Sequence, residues 1–155
     1  MQTPDALNAV AEFHRTFKHP VLDTPQIPAP ARAQLRVSLL QEELNELKAA
    51  IEADDLVEVA DALCDLQYVL SGAVLEFGLG EKFKALFDEV QRSNMSKACN
   101  SVEEADATVA HYAERDGTPA YVKQDGEKWL VYRSGDDKTL KNKNYSPADL
   151  KSLLV

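Results

Sequence analysis

The residues best placed to do chemistry in this chain are acids on two neighbouring helical stretches. The first reads Glu42-Glu43-x-x-Glu46; the second, twelve residues on, reads Glu58-x-x-Asp61, with Asp65 one further turn along. Residues three apart on a helix share a face, so each stretch presents a carboxylate pair. Around the second pair lie Leu56, Val57, Val59, Ala60, Leu63, Cys64 and Leu66. Apolar residues on most of its circumference predict a buried helix, and buried carboxylates must be paired or bind a metal. Neither Lys nor Arg occurs between Val57 and Glu81. Carboxylate oxygens suit a hard divalent cation, Mg²⁺ or in its place Mn²⁺. Such a site fits hydrolysis of a phosphoanhydride, with metal clamping phosphates and activating water. Glu42 points about 100° away from Glu43 around the helix and is the candidate to take a proton from that water or to act as an outer-shell ligand. The bland reading of Glu42, Glu43 and Glu46 is a solvated helix face.

A phosphate-rich substrate also needs positive charge, which the chain supplies downstream. One cluster is Arg92-Ser93-Asn94-Met95-Ser96-Lys97; the other runs from Lys138 to Lys143 and ends in Asn144-Tyr145. Lysine acts as a point charge on phosphate, asparagine can bridge sugar or phosphate, and tyrosine can stack on a base. Equally, Arg92 and Lys97 could complement a helix C-terminus, and the lysines could be solvated surface.

The elements that carry these residues follow from periodicity and punctuation. Thr3-Pro4-Asp5 reads as the start of a first helix ending before Pro20, with Thr as cap and Pro in the first turn. Residues 20–31, with four prolines, predict a stiff connector lying across the fold. A second helix is expected from about Pro30 to Ala53, with Leu35, Leu39, Leu40, Leu44, Leu47 and Ile51 on its core side. Asp54-Asp55 caps a third, about 55–77, closed by Gly78-Leu79-Gly80. A fourth covers about 81–97, and Ser101 with Glu104 marks a capping box for a short fifth ending near Arg115. Two β-type runs flank Gln124-Asp125-Gly126-Glu127, a hairpin signal at about 119–133. Ser146-Pro147 opens a last short helix. His14 and His19 stay open between structural and ligand-facing roles, and His14, Phe17 and the 20–30 crossover are candidates to line a substrate pocket.

The expected fold is all-α, a four-helix bundle with a small C-terminal β-hairpin appendage, in one domain over residues 1–155. The helical core covers about 3–97, and the short helix, hairpin and basic tail cover about 98–155. The net charge of −9 argues against a nucleic-acid partner. The N-terminus lacks a basic, apolar leader and the sequence lacks a membrane-length apolar run. Two cysteines make no disulfide framework, and Cys64 reads as a small core residue. A cytoplasmic setting follows as the expectation, with no membrane partner. Surplus apolar surface predicts a homodimer.

Glu42-Glu43-x-x-Glu46 with Glu58-x-x-Asp61 resembles the signature of the all-α NTP pyrophosphohydrolases, the group of MazG-like, phosphoribosyl-ATP pyrophosphohydrolase-like and dimeric dUTPase-like enzymes. The Ser93-Asn94-Met95-Ser96-Lys97 and Lys138-x-x-Lys141…Asn144-Tyr145-Ser146-Pro147-Ala148-Asp149-Leu150 segments are similar to its later blocks. The resemblance implies Mg²⁺-dependent cleavage of a (deoxy)nucleoside triphosphate to the monophosphate and pyrophosphate, clearing nucleotide pools in a homodimer or dimer of dimers. It implies Glu43, Glu46, Glu58 and Asp61 as metal ligands and Asn94, Lys97, Lys138, Lys141 and Tyr145 as substrate contacts; with Glu42 as the base candidate, Glu42, Glu43 and Glu46 are the expected catalytic set. The hairpin departs from the minimal helical pattern. The competing class is a non-catalytic helical adaptor whose acids face a basic partner. A carboxylate-bridged di-iron bundle wants Glu-x-x-His pairs, and none of the three histidines has Glu three residues before it.

Overall fold

Local chemistry decides where the elements begin and end. The computed structural model describes residues 2–155. The described residues form six α-helices and one two-stranded antiparallel sheet, in two compact units that divide between Phe83 and Lys84. The expected appendage of strands is there, and the chain is otherwise helical.

The first unit holds α1 (Ala6–Thr16), α2 (Pro30–Glu52), α3 (Leu56–Glu76) and a short 3-10 turn, Gly80–Lys82. Helix α1 starts two residues later than Thr3-Pro4 suggests. Asp5 is its cap position, with the carboxylate turned to the Asn8 amide at 3.0 Å. Pro30 occupies the first turn of α2, where its fixed φ suits and no N–H is needed. Only Ala53, Asp54 and Asp55 separate α2 from α3. Asp54 takes a left-handed φ of 54°, and the Asp55 carboxylate accepts from the N–H groups of Val57 and Glu58 at 3.0 and 3.2 Å. So tight a link makes α2 and α3 an antiparallel hairpin.

The proline-rich crossover does lie across the unit. Leu22 donates its N–H to the Leu75 carbonyl and Gln26 to that of Phe77, both at 3.0 Å. Gly78 ends α3 at φ 68°, where a Cβ would stand 1.9 Å from the Thr24 carbonyl oxygen. The apolar core of this unit gathers Val10, Ala11 and Leu75, with Leu7 and Val21 packed on them.

Burial of α3 differs from the expectation. Its buried residues are Ala62 and then Ser71, Gly72, Val74, Leu75 and Glu76. Leu56, Val57, Glu58, Asp61, Leu63 and Cys64 are exposed. The reason is coverage: the buried core of α1, Val10 and Ala11, packs on Leu75 near the C-terminal end of α3, whereas at Leu63 and Cys64 α1 borders an open groove. The apolar stripe of α2 is also rotated from the leucine reading, since Leu35, Leu44 and Ile51 are exposed and Arg36 and Ala50 are buried.

The second unit contains most of α4 (Phe83–Met95), then α5 (Val102–Asp116), β1 (Ala120–Asp125), β2 (Lys128–Arg133) and α6 (Leu150–Leu154). Ser101 caps α5 as expected, accepting from the Glu104 N–H at 3.2 Å, while Glu104 itself reaches the Asn100 N–H at 2.7 Å. The hairpin turns on Gly126-Glu127, with Gly126 at φ 57° and Asp125 opposite Lys128. Its inner face packs on α5 around Cys99, Ala105, Tyr112, Val131 and Leu140. Cys99 pairs with Trp129 through both backbone groups, and the Leu140 N–H reaches Val131 at 2.9 Å. The segment expected as a basic tail is thus partly a sheet edge. Asp149, not Ser146, caps α6, accepting from the Ser152 N–H at 3.2 Å.

Gly78→Ala is expected to lower the stability of the helical unit by about 2 kcal/mol or more, because a left-handed φ and a backbone clash coincide. A urea titration in which the Gly78→Ala midpoint matches that of wild type would sink this account.

Candidate functional site

The α2–α3 hairpin brings the acids of both helices together. Across it, Arg32 and Arg36 meet Glu76, Arg36 meets Gly72, Glu43 faces Asp61 and Asp65, and Glu46 shares a groove with Glu58. The register runs in opposite directions, so side chains three and four apart on each helix meet in layers.

Glu43 is the centre of the acidic layer. It is half-buried, whereas Glu42, Glu46, Glu58 and Asp61 are exposed. Burial raises its carboxyl above the usual range, and the charges of Glu46, Asp65, Glu42 and Asp61 raise it further. Among the described residues, none of these acids forms an ion pair. Glu46 and Glu58 line a groove floored by Ala49, Ala50 and Ala53. Glu42 lies on a different groove, with Gln34, Ser38, Gln41 and Asn45, as its angular offset from Glu43 requires. Among the described residues no three His, Cys, Asp or Glu side chains converge tightly enough to hold an ion as they stand. The donor set nonetheless fits one: hard oxygens from two adjacent helices, mutually repelling and without a cation.

Sequence reasoning missed the other end of the same hairpin. Glu76 is fully buried, and its two oxygens are taken by Arg32 and Arg36. Arg32 Nε donates to Glu76 Oε2 at 3.1 Å, and Arg36 gives a second link through Nη2. Burial alone would raise the Glu76 carboxyl, but the two guanidinium groups override it and hold it below the ordinary value. His14 is also buried, with Nδ1 donating to the Pro20 carbonyl at 2.8 Å and Nε2 facing Arg36 Nη2 at 3.5 Å. Burial lowers the His14 pKa and the Arg36 charge acts in the same direction, against the hydrogen bond to Pro20, which raises it. Gly72 makes room: a Cβ there would stand 2.7 Å from Arg36 Nη1 and 3.0 Å from His14 Nε2. Between α1, α2 and α3 this leaves a cavity of about 240 Å³ lined by Phe13, His19, Leu39, Tyr68 and Val69, with Arg32 and Arg36 in its wall. Phe17 does not line it; it stacks on Phe13 at 4.4 Å and is exposed. The available signal was an acid at the end of an apolar helix and two arginines four residues apart on the facing one.

The downstream blocks belong to the second unit. Lys97 Nζ, two residues past the end of α4, donates to Asn94 Oδ1 in its last turn at 2.8 Å. The Lys141 ammonium sits 4.4 Å above the Tyr145 ring, and the Tyr145 hydroxyl meets Ser93 Oγ at 2.7 Å. Arg92 reaches Ser146 and Pro147, and the Ser146 N–H donates to Ser96 Oγ at 3.0 Å. The two sequence blocks are therefore one contact surface within this unit. Lys138 stands apart on the sheet edge, its carbonyl accepting from the Arg133 N–H.

The chain belongs to the phosphoribosyl-ATP pyrophosphohydrolase family, whose sequence profile matches residues 10–94, within the MazG-like NTP pyrophosphohydrolase superfamily. It is also 33% identical over 93 residues to an uncharacterized protein of Acanthamoeba polyphaga mimivirus, a match covering 57% of this chain. The chain spans 37% of that relative's length.

Glu76→Ala is expected to cost about 3 kcal/mol, since it strands Arg36 as an uncompensated buried charge. The acid limb follows from the same pair. A carboxyl held below its unfolded value stabilises at pH above about 4.3 and loses that contribution as pH falls through its folded value. Wild type should therefore lose stability more steeply than Glu76→Gln below that pH; parallel acid-unfolding curves would remove Glu76 as the cause.

Proposed function

We propose that the chain is a divalent-metal-dependent nucleoside triphosphate pyrophosphohydrolase, releasing pyrophosphate and a nucleoside monophosphate. The observation that carries this reading is Glu43, flanked by carboxylates of both helices and by no cation. Glu43, Glu46, Glu58 and Asp61 are the residues that would hold Mg²⁺ or Mn²⁺. Once bound, the ion supplies Lewis acidity toward phosphate oxygens and lowers the pKa of a coordinated water.

The chain's own groups do the rest. Glu43 and Glu46 on α2 and Glu58 and Asp61 on α3 fix oxygen donors on two rigid elements. Glu42, on the neighbouring groove, takes the proton from the attacking water. Asn94, Lys97, Lys138, Lys141 and Tyr145 bind the substrate's phosphates and sugar in this reading, the lysines as point charges. The exposed apolar residues Leu56, Val57 and Leu63 of α3 favour a homodimer of four-helix bundles, or a dimer of such dimers. In this reading the protein is a cytoplasmic enzyme of nucleotide-pool clearance; no single helix among the described residues is long and apolar enough to cross a membrane.

Pyrophosphate release should be measured on canonical and modified nucleoside triphosphates and on phosphoribosyl-ATP, with Mg²⁺, Mn²⁺ or chelator. Release is expected from a nucleoside triphosphate, only with metal, and lost in both Glu58→Ala and Asp61→Ala while the fold is kept. Turnover of phosphoribosyl-ATP alone would move the substrate; turnover in chelator would end the metal reading. Silence throughout, with no thermal response to metal, is the result an acidic adaptor gives.

Glu43→Gln supplies an independent check. Relief of repulsion should raise its melting midpoint above wild type in chelator, and the midpoint gain on adding Mg²⁺ should shrink. A variant that melts no higher in chelator would mean that the acids do not strain the hairpin.

A further inference from the structure

Glu76 and the two arginines that hold it do more than close one end of the α2–α3 hairpin. Each step along α2 is matched by an equal step back along α3. Arg32 meets Glu76. Four residues on, Arg36 lies against Gly72, four residues back. Seven further on, Glu43 faces Asp65, seven further back. The helices therefore keep one antiparallel register from the clamp to the acids, and Glu43 lies two turns, roughly 10 Å, from Arg36. The other fixed point is the turn that begins at Ala53. It lies ten residues beyond Glu43, roughly 15 Å along the helix. The clamp is the nearer of the two.

What lies between the clamp and the acids does little to set the helix spacing. Leu39, Tyr68 and Val69 line a cavity of about 240 Å³ there, and apolar contact is non-directional. The acids themselves push the helices apart. Glu43 stands among Glu42, Glu46, Asp61 and Asp65, and among the described residues none of these acids forms an ion pair. The clamp acts in the opposite sense. Glu76 is fully buried and Arg36 reaches it from α2, so separating the helices there would leave buried charges unpaired. Closer approach is resisted too, because Arg36 Nη1 already occupies the space over Gly72. His14 backs the guanidinium from α1, its ring held to the Pro20 carbonyl at 2.8 Å. Spacing at this level of the hairpin is set by a directional polar contact.

We infer that Glu76, with Arg32 and Arg36, is a positioning residue for the carboxylates of Glu43, Glu46, Glu58 and Asp61. The clamp holds the two donor-bearing helices at the separation that lets both contribute to one cation site. The inference rests on the metal reading above and adds what keeps that site assembled. Glu76 lies eleven residues, three turns, from Asp65 on α3 and acts only through the hairpin.

Metal binding tests this without turnover. Calorimetry on the full chain would give the Mn²⁺ dissociation constant at a temperature where each protein is folded. Glu76→Gln removes the buried charge and keeps its shape. It is expected to bind Mn²⁺ roughly 10-fold more weakly, the low end of what a metal site loses with an outer support. The double variant Arg36→Met with Glu76→Met separates register from stability. Apolar replacement of a buried ion pair often leaves a fold as stable or more so. This variant should therefore melt no lower than wild type and still bind as weakly as Glu76→Gln. Val10→Ala is the converse: it thins the apolar core of α1, should melt lower, and should keep wild-type affinity. Wild-type affinity in either clamp variant overturns the inference, as does Val10→Ala binding as weakly as Glu76→Gln. Failure of wild type itself to take up Mn²⁺ overturns the metal reading and this inference together, a result distinct from uptake that ignores the clamp.

Discussion

One buried carboxylate organises the helical unit. Glu76 is fully enclosed and bound by two arginines from the facing helix. Apolar contact is non-directional, so leucines and valines would tolerate α2 sliding along α3. A charge taken out of water does not tolerate it, because any slip leaves it unpaired. The clamp therefore sets the register of the hairpin, and its reach extends to α1 through His14, whose imidazole lies against Arg36. Gly72 is the residue that lets the guanidinium lie against the α3 backbone. The layers that follow along the hairpin, including the acidic one, inherit their alignment from this end.

Much of the helical unit was legible because it depends on short-range signals. The Asp55 cap, the glycine stop at Gly78 and the three-residue spacing of the acids all act within a turn or two of chain. The clamp was not legible for the opposite reason. Arg32 and Arg36 lie 44 and 40 residues from Glu76, and in sequence they pass for ordinary polar positions on a helix. Burial of α3 was misjudged on related grounds: composition says how apolar a helix is but not which neighbours cover it. At the start of α3, Leu56 and Val57 stay 79% and 76% exposed.

The second unit shows how a polar segment can be structural. Residues 138–149 contain three lysines and three asparagines or aspartates, a composition that suggests solvated tail. Their backbone instead finds partners throughout. The N–H groups of Lys141 and Lys143 donate to the Tyr112 and Thr108 hydroxyls, both at 3.1 Å, and buried Asn142 donates to the Ala98 carbonyl at 3.2 Å. Without regular structure, such a segment must satisfy its polar groups one by one. This segment does so against α5 and the end of α4. Glu89 contributes at the far end, held to about 2 by Arg92 and by the Asp149 N–H. The same contacts leave the Lys138 ammonium outside the cluster and stack the Lys141 ammonium on Tyr145, so spacing alone could not separate scaffold from site.

The hairpin thus has two electrostatic ends joined by the same pair of helices. At one end a carboxylate is matched by two cations; at the other a cluster of carboxylates is matched by none. Optimising for stability alone would have placed a lysine near Glu43, and the sequence provides neither Lys nor Arg on α3. Repulsion of this kind is tolerated only where the surrounding structure over-determines the fold. The Glu76 clamp is what over-determines it here, two helical turns from the acids and on the same face. The matched end holds the helices in register so that the unmatched end can remain unmatched, which is the condition under which carboxylates stay available to a cation and its phosphates.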